Sequence, residues 1–129
     1  MELIDEIEEL IMMHQEGSYW DFKREWYDDS KDGDLLIDII CMANNLVDRD
    51  AYIIIGVNEE CDYAIYDVSQ DANRRNTQML TDFIRGKKFA GDFRPVVTVE
   101  QVHLDGGLVD VIVVHNSINT PYYLKEKYK

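Results

Sequence analysis

The chain reads as an α+β domain: a mixed sheet of about five to six strands, including a C-terminal hairpin, packed with three helices. Three observations carry that reading. Ala51–Val57 is an unbroken apolar, β-branched run, the mark of a central strand buried on both faces. Val96–Leu104 and Leu108–Val114 flank Asp105-Gly106-Gly107, a strong hairpin signal. Helical and strand-like stretches follow one another in mixed order, without the regular alternation of a parallel α/β fold.

Taken in order, Leu3, Ile7, Leu10, Ile11 and His14 form one helical stripe with acids behind it, so Glu2–His14 is expected as the first helix. Gly17 ends that pattern. Tyr19–Tyr27 reads as a strand, and Asp28–Gly33 as a turn with Ser30 and Asp32 among its N-cap candidates. Asp34–Val47 is a second helix, apolar nearly all round except for a narrow stripe of Asp34, Asp38 and Asn45. Gly56 suits a bend or a close backbone approach at the end of the central strand. Tyr63–Val68 is a weaker strand. Asp71–Arg85 is a third helix with Met79, Leu80, Phe83 and Ile84 on its apolar face, stopped by Gly86. Pro121 opens a last extended segment, 122–129, which runs out without a closing turn, as expected of one domain of a longer protein.

The bulk numbers narrow the function. A length of 129 residues fits one domain, and 46% apolar content supplies a core. No apolar run is long enough to span a membrane, and no basic stretch precedes an apolar one at the N-terminus, so a cytoplasmic protein is expected. Cys41 and Cys61 lack metal-ligand spacing and read as reduced packing residues. The net charge of −13 is unevenly placed. Residues 1–62 carry 18 acids against 4 bases, whereas residues 63–129 are nearly balanced, with 8 acids against 9 bases. The first half repels a phosphate backbone, so nucleic acid must approach the second half or reach the acids through metal.

The chemistry concentrates in Glu16-Gly-Ser-Tyr-Trp-Asp21-Phe-Lys23. On a strand, Asp21 and Lys23 share one face while Trp20 and Phe22 take the other, so the aromatics anchor the acid and the base. Hard cations take carboxylate oxygens, and a nearby lysine stabilises developing charge. The plainer alternative for Asp21 and Lys23 is an exposed ion pair worth about 0–1 kcal/mol. A second candidate is the basic island of Arg85, Lys87 and Lys88 with Arg74, Arg75 and Arg94 around it, a set of phosphate contacts for nucleic acid. Its alternative is a solvated helix end that complements the helix dipole. The chain has neither phosphate-loop glycine motif, no nucleophile elbow, and only scattered histidines at 14, 103 and 115.

Glu16-x4-Asp21-Phe22-Lys23, Ala43-Asn44-Asn45 and Ile53-Ile-Ile-Gly56-Val57-Asn58-Glu59 together resemble the Schlafen AlbA-like domain, a family also called divergent AAA. The later hairpin and the Pro121 segment fall where that family has them, so the likeness covers most of the chain. Two departures stand out: Asp21 replaces a glutamate, and Val47-Asp48-Arg49-Asp50 replaces a Gly-Gly turn. The resemblance implies a nucleic-acid-associated, DNA-binding module of a bacterial-type transcriptional regulator or defence protein. In animal Schlafens paired lobes form an RNA-cleaving core with a three-acid metal site. Carried over, that site falls on Glu16, Asp21 and Glu59 (or Glu60), with Lys23 assisting and magnesium or manganese as the ion. A homodimer would then supply the second lobe. The competing expectations are nucleic-acid binding without chemistry and an acidic interaction module that docks a basic protein.

Overall fold

A computed structural model describes residues 1–125. The segment 126–129, the end of the expected last strand, lies outside the described residues. Three helices, α1 (Leu3–Met12), α2 (Asp32–Ala43) and α3 (Thr77–Arg85), accompany six strands: β1 (Trp20–Lys23), β2 (Ala51–Ile55), β3 (Val57–Asn58), β4 (Ala64–Ile65), β5 (Val97–Leu104) and β6 (Gly107–Val114). The main sheet runs β1-β2-β6-β5, and β3 and β4 form a separate small pair. β1 and β2 are parallel; β2–β6 and β5–β6 are antiparallel, so the sheet is mixed as expected.

The period of the strands splits the core in two. On one face Ile53, Ile55, Leu108, Ile112 and Val114 pack with Leu35, Leu36 and Ile39 of α2 and with Leu80 and Ile84 of α3. On the other, Trp20, Phe22, Tyr52, Ile54, Val109, Val111 and Val113 pack with Ile7 and Leu10 of α1. β2 is buried throughout, which its unbroken apolar run requires. Each such fully buried aliphatic side chain stabilises the fold by about 1.5–3 kcal/mol. Gly56 has φ +116, and a β-carbon there would lie 3.1 Å from Val109 and Val68, so the expected close approach is present.

Several elements are shorter than their patterns suggest. β1 ends at Lys23 rather than Tyr27, because Trp26 is drawn inward: its backbone N–H donates to Asp71 and its indole N–H to buried Asp110. α3 begins at Thr77 rather than Asp71. Over 71–76 the side chains take the backbone donors: Asp71 accepts from the Asn73 N–H, and Asn76 caps the helix by accepting from the Met79 N–H. α2 starts at Asp32 and stops at Ala43. The segment after Pro121 pairs through one bridge, Phe89 to Leu124, and through Asn44, which both donates to and accepts from the Tyr122 backbone. Cys41 and Cys61 are free and exposed, so neither is the packing residue that its setting suggests.

Candidate active site

β1 is an edge strand of the main sheet, and its outer edge is where the acids gather. The Tyr19 and Lys23 carbonyls accept from β2 and the residue after it, so the intervening Phe22 N–H points outward. It donates to Asp21 Oδ1 at 2.9 Å and to Glu16 Oε2 at 3.3 Å. Two carboxylates thus occupy a donor that an edge strand otherwise leaves open. Gly17 turns the chain between them: its N–H donates to the Trp20 carbonyl, and the Trp20 indole lies against it and donates to the Gln15 carbonyl at 2.8 Å. Glu16 is therefore tied to β1 by the ring that anchors Asp21.

The third acid comes from the other side of the sheet edge. β3 leads into a short 3-10 turn, Glu59–Cys61, that Asn58 caps by accepting from the Glu60 N–H at 3.1 Å. The turn delivers Glu59 to Glu16 and Asp21, so that a carboxylate oxygen from each of the three lies within 4.8 Å of the other two. Glu60, the alternative third acid in the sequence, stands outside this cluster. Asp21 is half-buried; Glu16 and Glu59 are exposed.

Like charges so close cost free energy. The Glu59 carboxyl is held above the usual range by desolvation, then by the charge of Glu16 and a hydrogen bond shared with it, with Lys23 opposing. Desolvation and the charges of Glu59 and Glu16 likewise raise the Tyr63 hydroxyl. Tyr63 lies edge-on to Phe22 and stacks on His14, a small aromatic floor beneath the acids.

Lys23 projects from the same face of β1 as Asp21, toward α2. Its ammonium stands 3.5 Å from Asp21 Oδ2 and 3.4 Å from Asp38 Oδ2. Asp38 is in turn held by the Tyr27 hydroxyl, which donates to it at 2.6 Å. Burial, with that hydrogen bond, raises the Tyr27 hydroxyl strongly, so it stays a donor. The sequence reading did not single out Asp38 or Tyr27. The available signal was the polar stripe on an otherwise apolar α2, which places Asp38 above β1.

The three acids suit one hard cation. Opposite oxygens around magnesium stand about 4.2 Å apart, and around calcium about 4.6–5.2 Å, so a spread of this size closes with little side-chain movement. All donors are carboxylate oxygens, the type such ions take, and the exposed Glu16 and Glu59 leave room for water.

Among models of protein families, the one described as Schlafen, AlbA_2 matches residues 16–129. The chain belongs to this family. The matched span opens on Glu16 itself, with α1 preceding it. Membership supports a nucleic-acid-associated role at the level of the family. A comparison with curated proteins found no match.

In this Schlafen AlbA_2 domain the turn before β2 is built without glycine pairs. Asp48 takes the positive φ of +58. Arg49 pairs with Glu6 on α1 and lays its guanidinium 4.0 Å from the Tyr19 ring centroid. Its side chain thus bridges α1 to the entry of β1.

The six bases expected to contact phosphate do not act as one patch. Arg74 forks onto Asp110, donating from Nε and Nη2 at 2.9 Å each. Asp110 is the one buried charged residue among those described, and the indole N–H of Trp26 completes its shell. Arg75 is largely buried and reaches Asp32 at 2.6 Å. Arg94 donates to the Lys87 carbonyl, and Lys87 packs its ammonium over Phe83. Arg85 is exposed beside Asp82, and the Lys88 carbonyl accepts from the Lys125 N–H. Arg74 and Arg75 therefore hold α3 to the rest of the fold, a placement that spacing along the chain does not reveal.

Proposed function

We propose that this domain acts on nucleic acid as a divalent-metal-dependent endonuclease. Glu16, Asp21 and Glu59 would hold a magnesium or manganese ion, and Lys23 would stand beside the reacting phosphate. The observation that carries this reading is the convergence of Glu16 and Asp21, at either end of one turn-and-strand segment, with Glu59 from a distant turn, within 4.8 Å at a strand edge that also presents a lysine. Bound there, the ion supplies a Lewis acid for a phosphoryl oxygen and a more acidic water.

The chain's own groups do the positioning. Trp20 and Phe22 fix β1 in the core, so Asp21 and Lys23 are presented by a rigid element. Asp38 and Tyr27 hold the Lys23 ammonium in place, ready to meet charge that develops on phosphate oxygens. The test is incubation of transfer RNA and single-stranded DNA with manganese, wild type beside Asp21→Ala. Cleavage by the wild type alone supports the reading; equal cleavage, or none at any manganese concentration, refutes it.

A second reading is favoured by one observation. Asp21 is already engaged, by the Phe22 N–H and the Lys23 ammonium, without any ion. In that reading the domain grips nucleic acid for a neighbouring effector module of a cytoplasmic regulator or defence protein, and metal-independent binding without cleavage identifies it. A homodimer that pairs two lobes fits the first reading; a basic protein partner for the acidic half is a third, tested by competition with DNA.

A further inference from the structure

The three acids are not held alike. Asp21 belongs to β1 and is fixed by its register with β2. Glu16 and Glu59 sit on two separate chain reversals, one after α1 and one after β3. Glu16 accepts a long hydrogen bond, 3.3 Å, from the Phe22 N–H. The charges of Glu16 and Glu59 also repel each other across the cluster. The two reversals must therefore be braced against each other if both carboxylates are to stand ready for one ion.

His14 supplies such a brace. It leaves α1 in the left-handed region, at φ +51, where glycine is the usual residue. Asp62, which caps the Glu59–Cys61 turn, has φ +55, and Tyr63 has φ +59. Three residues with β-carbons thus adopt a conformation that disfavours them, and their side chains meet. The His14 imidazole stacks on the Tyr63 ring at 4.7 Å between centroids, with 26° between the planes. Its Nδ1 stands 3.4 Å from Asp62 Oδ1. Tyr63 in turn lies edge-on to Phe22 of β1, 5.5 Å between centroids. Glu16 comes two residues after His14, and Glu59 three residues before Asp62. One ring therefore joins the carriers of two acids, and Tyr63 and Phe22 tie both to the strand that carries the third.

We propose that His14 is a positioning residue of the cation site: by stacking on Tyr63 it clasps the reversal that bears Glu16 to the turn that bears Glu59. The assignment rests on the reading of the acid cluster as a cation site and adds to it a residue outside the ligand set. Groups of this kind orient metal ligands without touching the ion. The stack does the holding rather than the contact with Asp62. The Asp62 side chain is 92% exposed and that of His14 46%, so solvent screens their attraction. Ring packing does not depend on charge and acts in either protonation state of the imidazole.

The test is calorimetric titration of manganese into the metal-free full chain, wild type beside His14→Gly, His14→Phe and Asp62→Asn. Glycine suits φ +51, so His14→Gly removes the ring while easing the backbone, and it is expected to melt close to wild type. Its manganese affinity is nevertheless expected to fall about tenfold, the low end for a group that orients metal ligands. His14→Phe keeps a ring on Tyr63 and is expected to stay within about threefold of wild type. Asp62→Asn is expected to do the same, about threefold at most, since it loses an exposed contact. Asparagine also tolerates the left-handed region, so His14→Asn repeats the ring deletion should the glycine variant unfold. A folded ring-deletion variant that binds manganese like wild type overturns the assignment and leaves the cation site standing. So does a His14→Phe variant that loses as much affinity as the ring deletion. A wild type that takes up no manganese overturns both.

Discussion

Gly17 and Trp20 are packed so closely that a β-carbon on Gly17 would fall 2.1 Å from Cη2 of the indole. The indole in turn fixes the Gln15 carbonyl, one residue before Glu16. The first acid of the cluster is thus placed by a glycine-aromatic contact rather than by its own hydrogen bonds alone.

Gly17→Ala must displace the ring or the turn, and overpacking of this kind costs about 1–3 kcal/mol. Urea unfolding is expected to show that loss, and the affinity for manganese is expected to fall with it as Glu16 moves. Gly86→Ala is the comparison. Gly86 has φ −73 and its nearest obstacle stands at 3.6 Å, so alanine there is expected to be neutral or stabilising by about 0.4–1 kcal/mol.

Arg74 and Asp110 behave as a structural pair. Removing the arginine leaves a buried carboxylate with only the Trp26 indole, and breaking such a pair costs about 3–5 kcal/mol. Arg74→Ala is therefore expected to lower the urea midpoint steeply, whereas Arg85→Ala, exposed beside Asp82, stays within about 0.5 kcal/mol of wild type.

Glu59 sets a pH dependence of defined sign. Its folded-state pKa is raised above 4.5, so the folded protein holds this proton to higher pH than the unfolded chain does. Stability from this group is greatest below 4.5 and is lost as pH rises through the raised value. In metal-free buffer Glu59→Gln is expected to be more stable than wild type at neutral pH. The gain is no more than about 1 kcal/mol, because solvent screens the exposed acids. It vanishes in acid. Magnesium is expected to reverse the order at neutral pH by stabilising only the chain that binds it. Urea midpoints across pH, with and without the ion, check both halves.

How much of this was legible in the sequence follows the range of the interactions involved. The β5–β6 hairpin lies where Asp105-Gly106-Gly107 puts it, and β2 is buried where its β-branched run says, because local pattern suffices for both. The alternation of Trp20-Asp21-Phe22-Lys23 likewise gave the facing of the acid and the base. The limits of β1 and α3 were not legible, since both are set by Trp26, Asp71 and Asp110 meeting from distant parts of the chain. The same reason hides the roles of Arg74 and Arg75, whose partners lie 36 and 43 residues away. Glu59 was within reach only through the family pattern; Asp38 was visible as a polar stripe without a stated purpose.

The central claim is that Glu16, Asp21 and Glu59 form one cation site. Titration calorimetry of manganese into the metal-free protein tests it most directly, with Asp21→Ala and Glu16→Gln alongside. The account predicts one ion per chain for the wild type and a loss of at least tenfold in affinity for each variant. Binding that the variants retain, or a wild type that takes up no ion, would contradict it.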